Sequence, residues 1–378
     1  MKVCFLIQDL FQQGAQYVTA LMIRGFIAKG YDVDLIVSKV HADLLSKGDI
    51  SPFEIPNKTN LIILKDRKAS KNIIEIRNYL KQTNSIAVIS MSSNYTFALA
   101  LAGFGLSKRP KIAFVEHSGI VGLDRNTGNE LPLPSYCSLG FLRSKFITSQ
   151  FDTIMAVSSG TARGVERMNR LTNNAVKVVY NPVIDNLYYQ KLSNEPTHPW
   201  LTDKTVPTFV AAGAHSAIKN HFLLFEAIKI VRQETPVRLV LFGKGNLTDD
   251  YSKWIEHNNL SDSIAMAQHS DQLPAEIKAS DGFIISSTME SFSLVLVEAL
   301  AAGVPVISTN CPYGPPELLN QGEFGVLVPV NDAQALANAI INQIKSPRKP
   351  APRESWEPFT VENVVTAYEK ALGLTKNN

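Results

Sequence analysis

The side chains best suited by type and spacing to do chemistry are two glutamates. Glu290 and Glu298 lie in the run Ser287-Thr288-Met289-Glu290-Ser291-Phe292-Ser293-Leu294-Val295-Leu296-Val297-Glu298-Ala299. An apolar strand pattern ends near Ser286 and a helical pattern covers 294–302, so Glu290 falls in the loop between them. Residues 291–293 read as the first helical turn, whose amide N–H groups lack intrahelical partners and suit an anion. Glu298 falls about two turns further in, on an apolar helix face. A carboxylate there needs a partner: vicinal hydroxyls of a ribose fit, and so does a structural arginine. Lys219 closes the segment Gly213-Ala214-His215-Ser216-Ala217-Ile218-Lys219 after another apolar strand pattern. Glycines follow other strand patterns at Gly14 and Gly243. His117 follows the strand pattern 112–115, a position that suits either a structural or a catalytic histidine.

These residues must be held by strands and helices, and the chain reads as an alternation of the two. Strand patterns fall at 2–7, 33–37, 61–64, 87–90, 112–115, 153–157 and 176–180, then at 208–212, 238–242, 282–286 and 304–308. Many are unbroken Val/Ile/Leu runs, as expected for a parallel sheet covered on both faces. Helical patterns between them include 16–29, closed by Gly30, 221–232 and 294–302. The grammar breaks at Pro182 and at Ser193–Pro199, a loop composition, and then restarts. The sequence therefore predicts an α/β chain of two doubly wound domains facing a cleft, residues 1–185 and 200–360, with a helix over 361–372 opening the segment 361–378. The length of 378 residues agrees with two domains at about 150 residues each.

Composition narrows the function. Hydrophobic content is 45% and charged content 19%, which excludes bulk disorder. The net charge of +3 hides an imbalance: residues 1–182 carry 22 Lys+Arg against 13 Asp+Glu, a net of +9, and the remainder carries −6. The basic residues include Lys65, Arg67, Lys68 and Lys71, and Arg163, Arg167 and Arg170 at helical spacing. With the Leu- and Phe-rich stretch 131–147, which holds Arg143 and Lys145, they point to an anionic membrane surface as much as to a solvated face. No recognition motif points to nucleic acid. Cys4, Cys137 and Cys311 form no CxxC pair, which argues against a disulfide framework or a zinc site and for a cytoplasmic setting. Met1-Lys2 leads directly into a strand rather than a signal-peptide core. Asp32-Val33-Asp34 has a metal-binding form but opens a strand, and Gly103-Phe104-Gly105 lacks the context of a dinucleotide fingerprint.

The segment Glu290 to Glu298, continued by Ala302-Gly303-Val304-Pro305-Val306, resembles the E-x7-E signature of GT4-type retaining glycosyltransferases of the GT-B fold, with Ser291 and Ser293 where the signature has glycine. Other segments are similar in order. They are Gln13-Gly14-Ala15-Gln16-Tyr17-Val18, Glu116-His117-Ser118, Val157-Ser158-Ser159, Val179-Tyr180-Asn181-Pro182-Val183, Phe242-Gly243-Lys244-Gly245, Cys311–Glu317 and Gly322–Pro329. The Cys-Pro-x-Gly-Pro form is similar to members that build bacterial surface polysaccharides and lipid-linked glycans. One position departs: the family's diphosphate clamp has arginine where Ala214 stands, while Lys219 is in place, so the resemblance leaves the positive charge at the phosphates to Lys219, the helix N-terminus and His215.

The resemblance implies transfer of a hexose or N-acetylhexosamine, with retention, from a nucleotide-diphosphate sugar (UDP foremost) to a glycan or lipid-diphosphate-linked acceptor. It implies no metal and no other cofactor. His117, Lys219 and Glu290 take the catalytic roles. Gly14, Gly213, Lys219, Gly243, Glu290, Phe292, Ser293, Leu294 and Glu298 form the donor site, through backbone amides at Phe292, Ser293 and Leu294. It puts the acceptor on the N-terminal domain and lets the last helix pack back there; with the basic N-terminal half, the expected setting is the cytoplasm, free or at the inner face of the plasma membrane. A nucleotide-binding partner subunit with little transfer activity is the alternative that Ala214 motivates.

Overall fold

The computed structural model describes residues 1–10, 14–46, 55–118, 123–124, 130–133, 138–203, 205–268, 270–347 and 349–374. Gln13, Cys137 and part of the stretch 131–147 lie outside them. The chain divides into two units: Met1–Pro182 with the helix Val361–Leu372, and Val183–Thr360. The first holds strands β1 (Lys2–Leu6), β2 (Asp32–Val37), β3 (Asn60–Ile63), β4 (Ala87–Ser90), β5 (Lys111–Glu116), β6 (Thr153–Ala156) and β7 (Lys177–Val178), in spatial order β3-β2-β1-β4-β5-β6-β7. The second holds β8 (Thr208–Ala212), β9 (Arg238–Phe242), β10 (Ile264–Ala267), β11 (Gly282–Ile285), β12 (Val306–Thr309) and β13 (Val326–Val328), in order β10-β9-β8-β11-β12-β13. Every strand pairing is parallel among the described residues. Both sheets are doubly wound, because the order runs outward in one direction and then reverses.

The central strands are apolar on both faces because helices cover both. Val3, Cys4, Phe5 and Leu6 of β1 are completely buried. The helix Ala15–Ala28 lays Val18, Leu21, Met22 and Phe26 on the sheet, and Phe26 meets Phe5 and Tyr31 edge-on at 5.6 and 5.1 Å. In the second unit Phe209, Leu239 and Leu241 pack with Leu224, Ile228, Leu336 and Ile340 from the helices His221–Val231 and Ala333–Lys345. Two strands escape sequence reading, β10 and β13. They are edge strands of three and four residues, one with two alanines, too short for a strand period to stand out.

Asp34 opens no metal site. Tyr79 donates to it at 2.6 Å, Asn60 at 3.0 Å, and Lys2 lies 3.3 Å away, so its charge is used within the sheet's amino-terminal edge.

The helix Val361–Leu372 docks on the helix Ala15–Ala28. Lys29 Nζ reaches Glu369 at 2.7 Å and Thr366 at 2.6 Å, the Tyr31 hydroxyl donates to Glu369 at 2.8 Å, and Lys111 Nζ donates to the Leu372 carbonyl at 2.8 Å. Contact is close enough that a Cβ on Gly25 would lie 2.5 Å from Val361 and 2.6 Å from Val365. Leucine is the better helix former by ~0.8 kcal/mol, yet Gly25→Leu is expected to destabilise by about 1–3 kcal/mol through overpacking. Urea unfolding measures the sign; a stabilised variant would show that the two helices do not pack here.

Candidate active site

The strand order of the second sheet reverses between β8 and β11, the position at which loops diverge and leave a crevice beyond the carboxyl ends of the strands. The loop after β8 ends in a single turn, Ala217–Lys219. The loop after β11 carries Ser286 to Ser293. Hydrogen bonds sew them together: Thr288 N donates to Ile218 O at 2.8 Å and Ser286 Oγ to Lys219 O at 2.9 Å. From β12, Thr309 Oγ1 donates to Ser287 O at 2.6 Å. This seam brings Lys219 Nζ to 2.6 Å from Glu290 Oε1, and Ser287 Oγ donates to the same oxygen at 2.9 Å. The two charged side chains are 25% and 11% exposed, sheltered enough to interact strongly and open enough to meet a ligand.

A second loop clamps the backbone of Glu290. Its N–H donates to Pro312 O at 2.7 Å, and its carbonyl accepts from Tyr313 N at 2.6 Å and Gly314 N at 3.2 Å. Here lies the physical content of the Cys-Pro-Tyr-Gly-Pro run. A Cβ on Gly314 would stand 2.3 Å from the carbonyl oxygen of Phe292, so only glycine admits the approach.

That clamp also corrects the helix start. The sequence places 291–293 in the first turn, whereas the helix is Leu294–Ala301 and Ser293 is its N-cap, at φ 82° and ψ 86°. Glu290 pairs with Tyr313 in an isolated parallel bridge, and the helix begins only four residues later. The Phe292 side chain is buried edge-on against Phe359 at 5.4 Å, so Phe292 anchors the loop. The first-turn amides still lack intrahelical partners. A left-handed serine is strained by roughly 1–2 kcal/mol. Lys219, His221, Ser286, Ser287, Glu290 and Ser293 line one small cavity.

His215 adds no positive charge. Its ring is completely buried, Nδ1 pairs with Thr248 Oγ1 at 2.8 Å, and burial pushes its pKa down. His221, which sequence reading passed over, is held neutral as well: burial, His215 and Lys219 push it down to about 3. Lys219 is therefore the cation of this cavity. Gly213 donates its N–H to Phe242 O at 3.0 Å. Gly243 crosses so close that a Cβ there would lie 2.1 Å from the Gly213 carbonyl oxygen.

In the first unit the corresponding reversal lies between β1 and β4. Gly14 caps the helix Ala15–Ala28, and a cavity of about 270 Å³ is lined by Gln8, Asp9, Gln16, Ser92, Glu116 and His117 among others. Ser118 N donates to Glu116 Oε1 at 2.8 Å, while burial raises the Glu116 carboxyl. Burial pushes His117 down to about 4, and its Nε2 is buried without a hydrogen-bond partner. His117 is thus a neutral imidazole with a free ring nitrogen. The expected basic helix face is not continuous. Arg167 pairs with Glu130 and donates to Leu131 O, and Arg170 leaves the helix at φ 48° to lie over Phe141. Arg67 and Lys71 are matched by Asp43 and Asp66.

Glu298 sits on the helix Leu294–Ala301, its carbonyl accepting from the Tyr188 hydroxyl at 2.7 Å. No structural arginine meets its carboxyl among the described residues. Burial pushes its pKa up to about 7, opposed by the charge of Lys191. An acid so placed gains from hydroxyl donors. The folded chain keeps this proton to about pH 7 whereas an ordinary glutamate releases it near 4.5. Its contribution to stability is therefore complete below pH 4.5 and is lost as pH rises through 7. Glu298→Gln is expected to flatten that part of the stability–pH curve by ~2–3 kcal/mol. Urea midpoints from pH 4.5 to 8 measure it, and parallel wild-type and variant curves would refute the assignment.

Among the described residues, no three His, Cys, Asp or Glu side chains gather as a metal site, and no helix is long and apolar enough to cross a membrane. Two family models cover most of the chain: "Glycosyltransferase Family 4" over residues 13–186 and "Glycosyl transferases group 1" over 196–357. The chain is 24% identical over 231 residues to an N-acetyl-alpha-D-glucosaminyl L-malate synthase of Bacillus anthracis, covering 60% of each chain. It is 28% identical over 217 residues to an N-acetylgalactosamine-N,N'-diacetylbacillosaminyl-diphospho-undecaprenol 4-alpha-N-acetylgalactosaminyltransferase of Campylobacter jejuni, covering 55% of this chain and 57% of that one. The matched stretch thus spans well under two thirds of these relatives' lengths. Among solved structures, Anabaena HepE in complex with UDP superposes with a TM-score of 0.72 at 19% identity, over 99% of this chain and 100% of that one, a likeness of fold. With both doubly wound sheets in place, the chain belongs to the GT4-type glycosyltransferases and has the GT-B fold.

Proposed function

We propose that the chain moves a hexose or N-acetylhexosamine, with retention and without a metal, from a UDP-sugar to a glycan or lipid-diphosphate-linked acceptor of a cell-surface polysaccharide or lipopolysaccharide. The Lys219–Glu290 pair carries this reading, because it is a cation and a carboxylate held ready to exchange partners. Donor binding turns the Lys219 ammonium toward the leaving diphosphate, together with the amides that open the helix Leu294–Ala301. The freed Glu290 carboxylate, still accepting from Ser287, takes hydroxyl protons of the sugar in hydrogen bonds. Glu298 receives the ribose hydroxyls.

As the bond from the anomeric carbon to phosphate oxygen breaks, negative charge grows on the diphosphate, and fixed positive groups there lower the barrier most. The acceptor oxygen bonds to the same face of that carbon, and its proton passes to the departing phosphate oxygen. No carboxylate nucleophile takes part. Neutral His117 acts as a hydrogen-bond partner for the acceptor or sugar. Ala214 and the neutral His215 favour one other reading, a nucleotide-binding partner with little transfer.

Released nucleotide from a panel of UDP-, GDP- and ADP-sugars separates the two readings. Turnover with one donor and an unchanged rate in EDTA are expected. Lys219→Ala and Glu290→Gln are each expected to lower kcat by about 10²–10³. Binding without turnover for every donor and acceptor would favour the partner reading, and a variant with wild-type kcat would remove its residue from the site.

Acceptor delivery at the inner face of the plasma membrane is supported by the helix Leu139–Thr148, where Leu139, Leu142 and Phe146 are 83%, 52% and 37% exposed beside Arg143 and Lys145. Such a stripe suits shallow insertion among anionic headgroups. Flotation is expected with phosphatidylglycerol vesicles and not with phosphatidylcholine vesicles, and to be lost in Leu139→Glu/Leu142→Glu. Failure to float with either lipid would end this reading.

A further inference from the structure

Ser293 has three properties that seldom coincide. Its backbone is left-handed at φ 82°, a conformation that glycine adopts without steric cost and serine does not. Its residue is 8% exposed, yet its Oγ has no hydrogen-bond partner. It caps an eight-residue helix without bonding to that helix's own amides, which is the ordinary use of a serine at an N-cap. A buried hydroxyl left unpaired, on strained backbone, is costly twice over. Nothing among the described residues repays either cost, so the compensation is sought in a ligand.

The cavity it lines shows which ligand. Lys219 and Glu290 stand in the same cavity, and the unpartnered amides of the helix's first turn begin at the next residue. Glu290 already accepts from Lys219 and Ser287. His221 is neutral and His215 bonds to Thr248. The groups left over are therefore donors: the Lys219 ammonium once it leaves Glu290, the helix-end amides, and the Ser293 hydroxyl. Such a set matches phosphate oxygens better than sugar hydroxyls, which bring donors of their own.

We infer that the Ser293 hydroxyl is a hydrogen-bond donor to the diphosphate of the nucleotide-sugar. With Lys219 it does part of the work left undone at Ala214, where a small side chain offers the phosphates nothing. The inference rests on the proposed donor site and adds to it a side-chain contact.

Calorimetric titration of the full chain with UDP and with uridine tests it, using Ser293→Ala, Ser293→Gly and Lys219→Ala. Ser293→Ala keeps Cβ and the strained backbone and loses only the hydroxyl. Ser293→Gly loses the hydroxyl and the strain together. Both are expected to weaken UDP about tenfold and leave uridine unchanged, while the Tm of Ser293→Gly stays level or rises by a few degrees. A purely structural serine would move Tm and affinity in the same direction. Wild-type UDP affinity in both Ser293 variants, with Lys219→Ala weakened, would overturn the inference and keep the donor site. Equal loss for UDP and uridine would overturn it as a distortion of the site. Weakening seen with UDP-sugar but not with UDP would move the contact to the sugar. Wild-type protein that binds no UDP, GDP or ADP would overturn the donor site and the inference together.

Discussion

The adjacency of β8 and β11 is the constraint on which the candidate active site depends. In a parallel sheet, two strands far apart in sequence become neighbours only where the winding reverses, and their following loops must then share one crevice. The hydrogen bonds from Thr288, Ser286 and Thr309 join those loops through backbone carbonyls. One bond is main chain to main chain, and the other two need the hydroxyls of Ser286 and Thr309. Lys219 and Glu290 meet at 2.6 Å as its consequence. The Pro312–Gly314 backbone then fixes Glu290 from the far side. The backbone of Glu290 is thus fixed independently of its cation, and its carboxylate keeps the Ser287 hydroxyl as a second partner.

Around this pair the molecule keeps several polar groups in conditions that folding alone does not reward. Glu298 is held against its preference for water and titrates near neutrality. The Ser293 hydroxyl and one nitrogen of His221 are buried without partners. In the first unit the same holds for Nε2 of His117. Buried polar groups are ordinarily satisfied; Ser293, His221 and His117 are exceptions that line the two cavities described above. Asp34 is surrounded by Tyr79, Asn60 and Lys2, and Arg167 by Glu130 and a carbonyl.

Much of this was legible before any coordinates. Unbroken apolar runs such as Val3–Leu6 and Phe209–Ala211 state a doubly covered parallel sheet, since neither face tolerates a polar side chain. Gly30 and the loop compositions mark where elements stop. The pair Glu290 and Glu298, on a strand–loop–helix junction, announces a ligand site through charge placed where burial would otherwise forbid it. Ser291 and Ser293 were visible as departures, although their consequence was not. β10 and β13 were hidden by brevity, and Tyr188 by a lack of any local signal.

What the sequence by itself determined, then, is the set of elements, their order and the residues able to do chemistry, because periodicity and residue type are local properties. What tertiary structure decided is which of those residues are available. His215 looked like a cation beside the phosphates, and packing against Tyr251 and Thr248 makes it a neutral core side chain. The basic helix face dissolved once Arg167 and Arg170 found partners. Ser293 changed from an amide in a helical turn to a left-handed cap with an unspent hydroxyl, because the loop is tied to Tyr313 at Glu290 and the helix starts only at Leu294. Burial and partnership depend on atoms distant in sequence, and no local pattern encodes them.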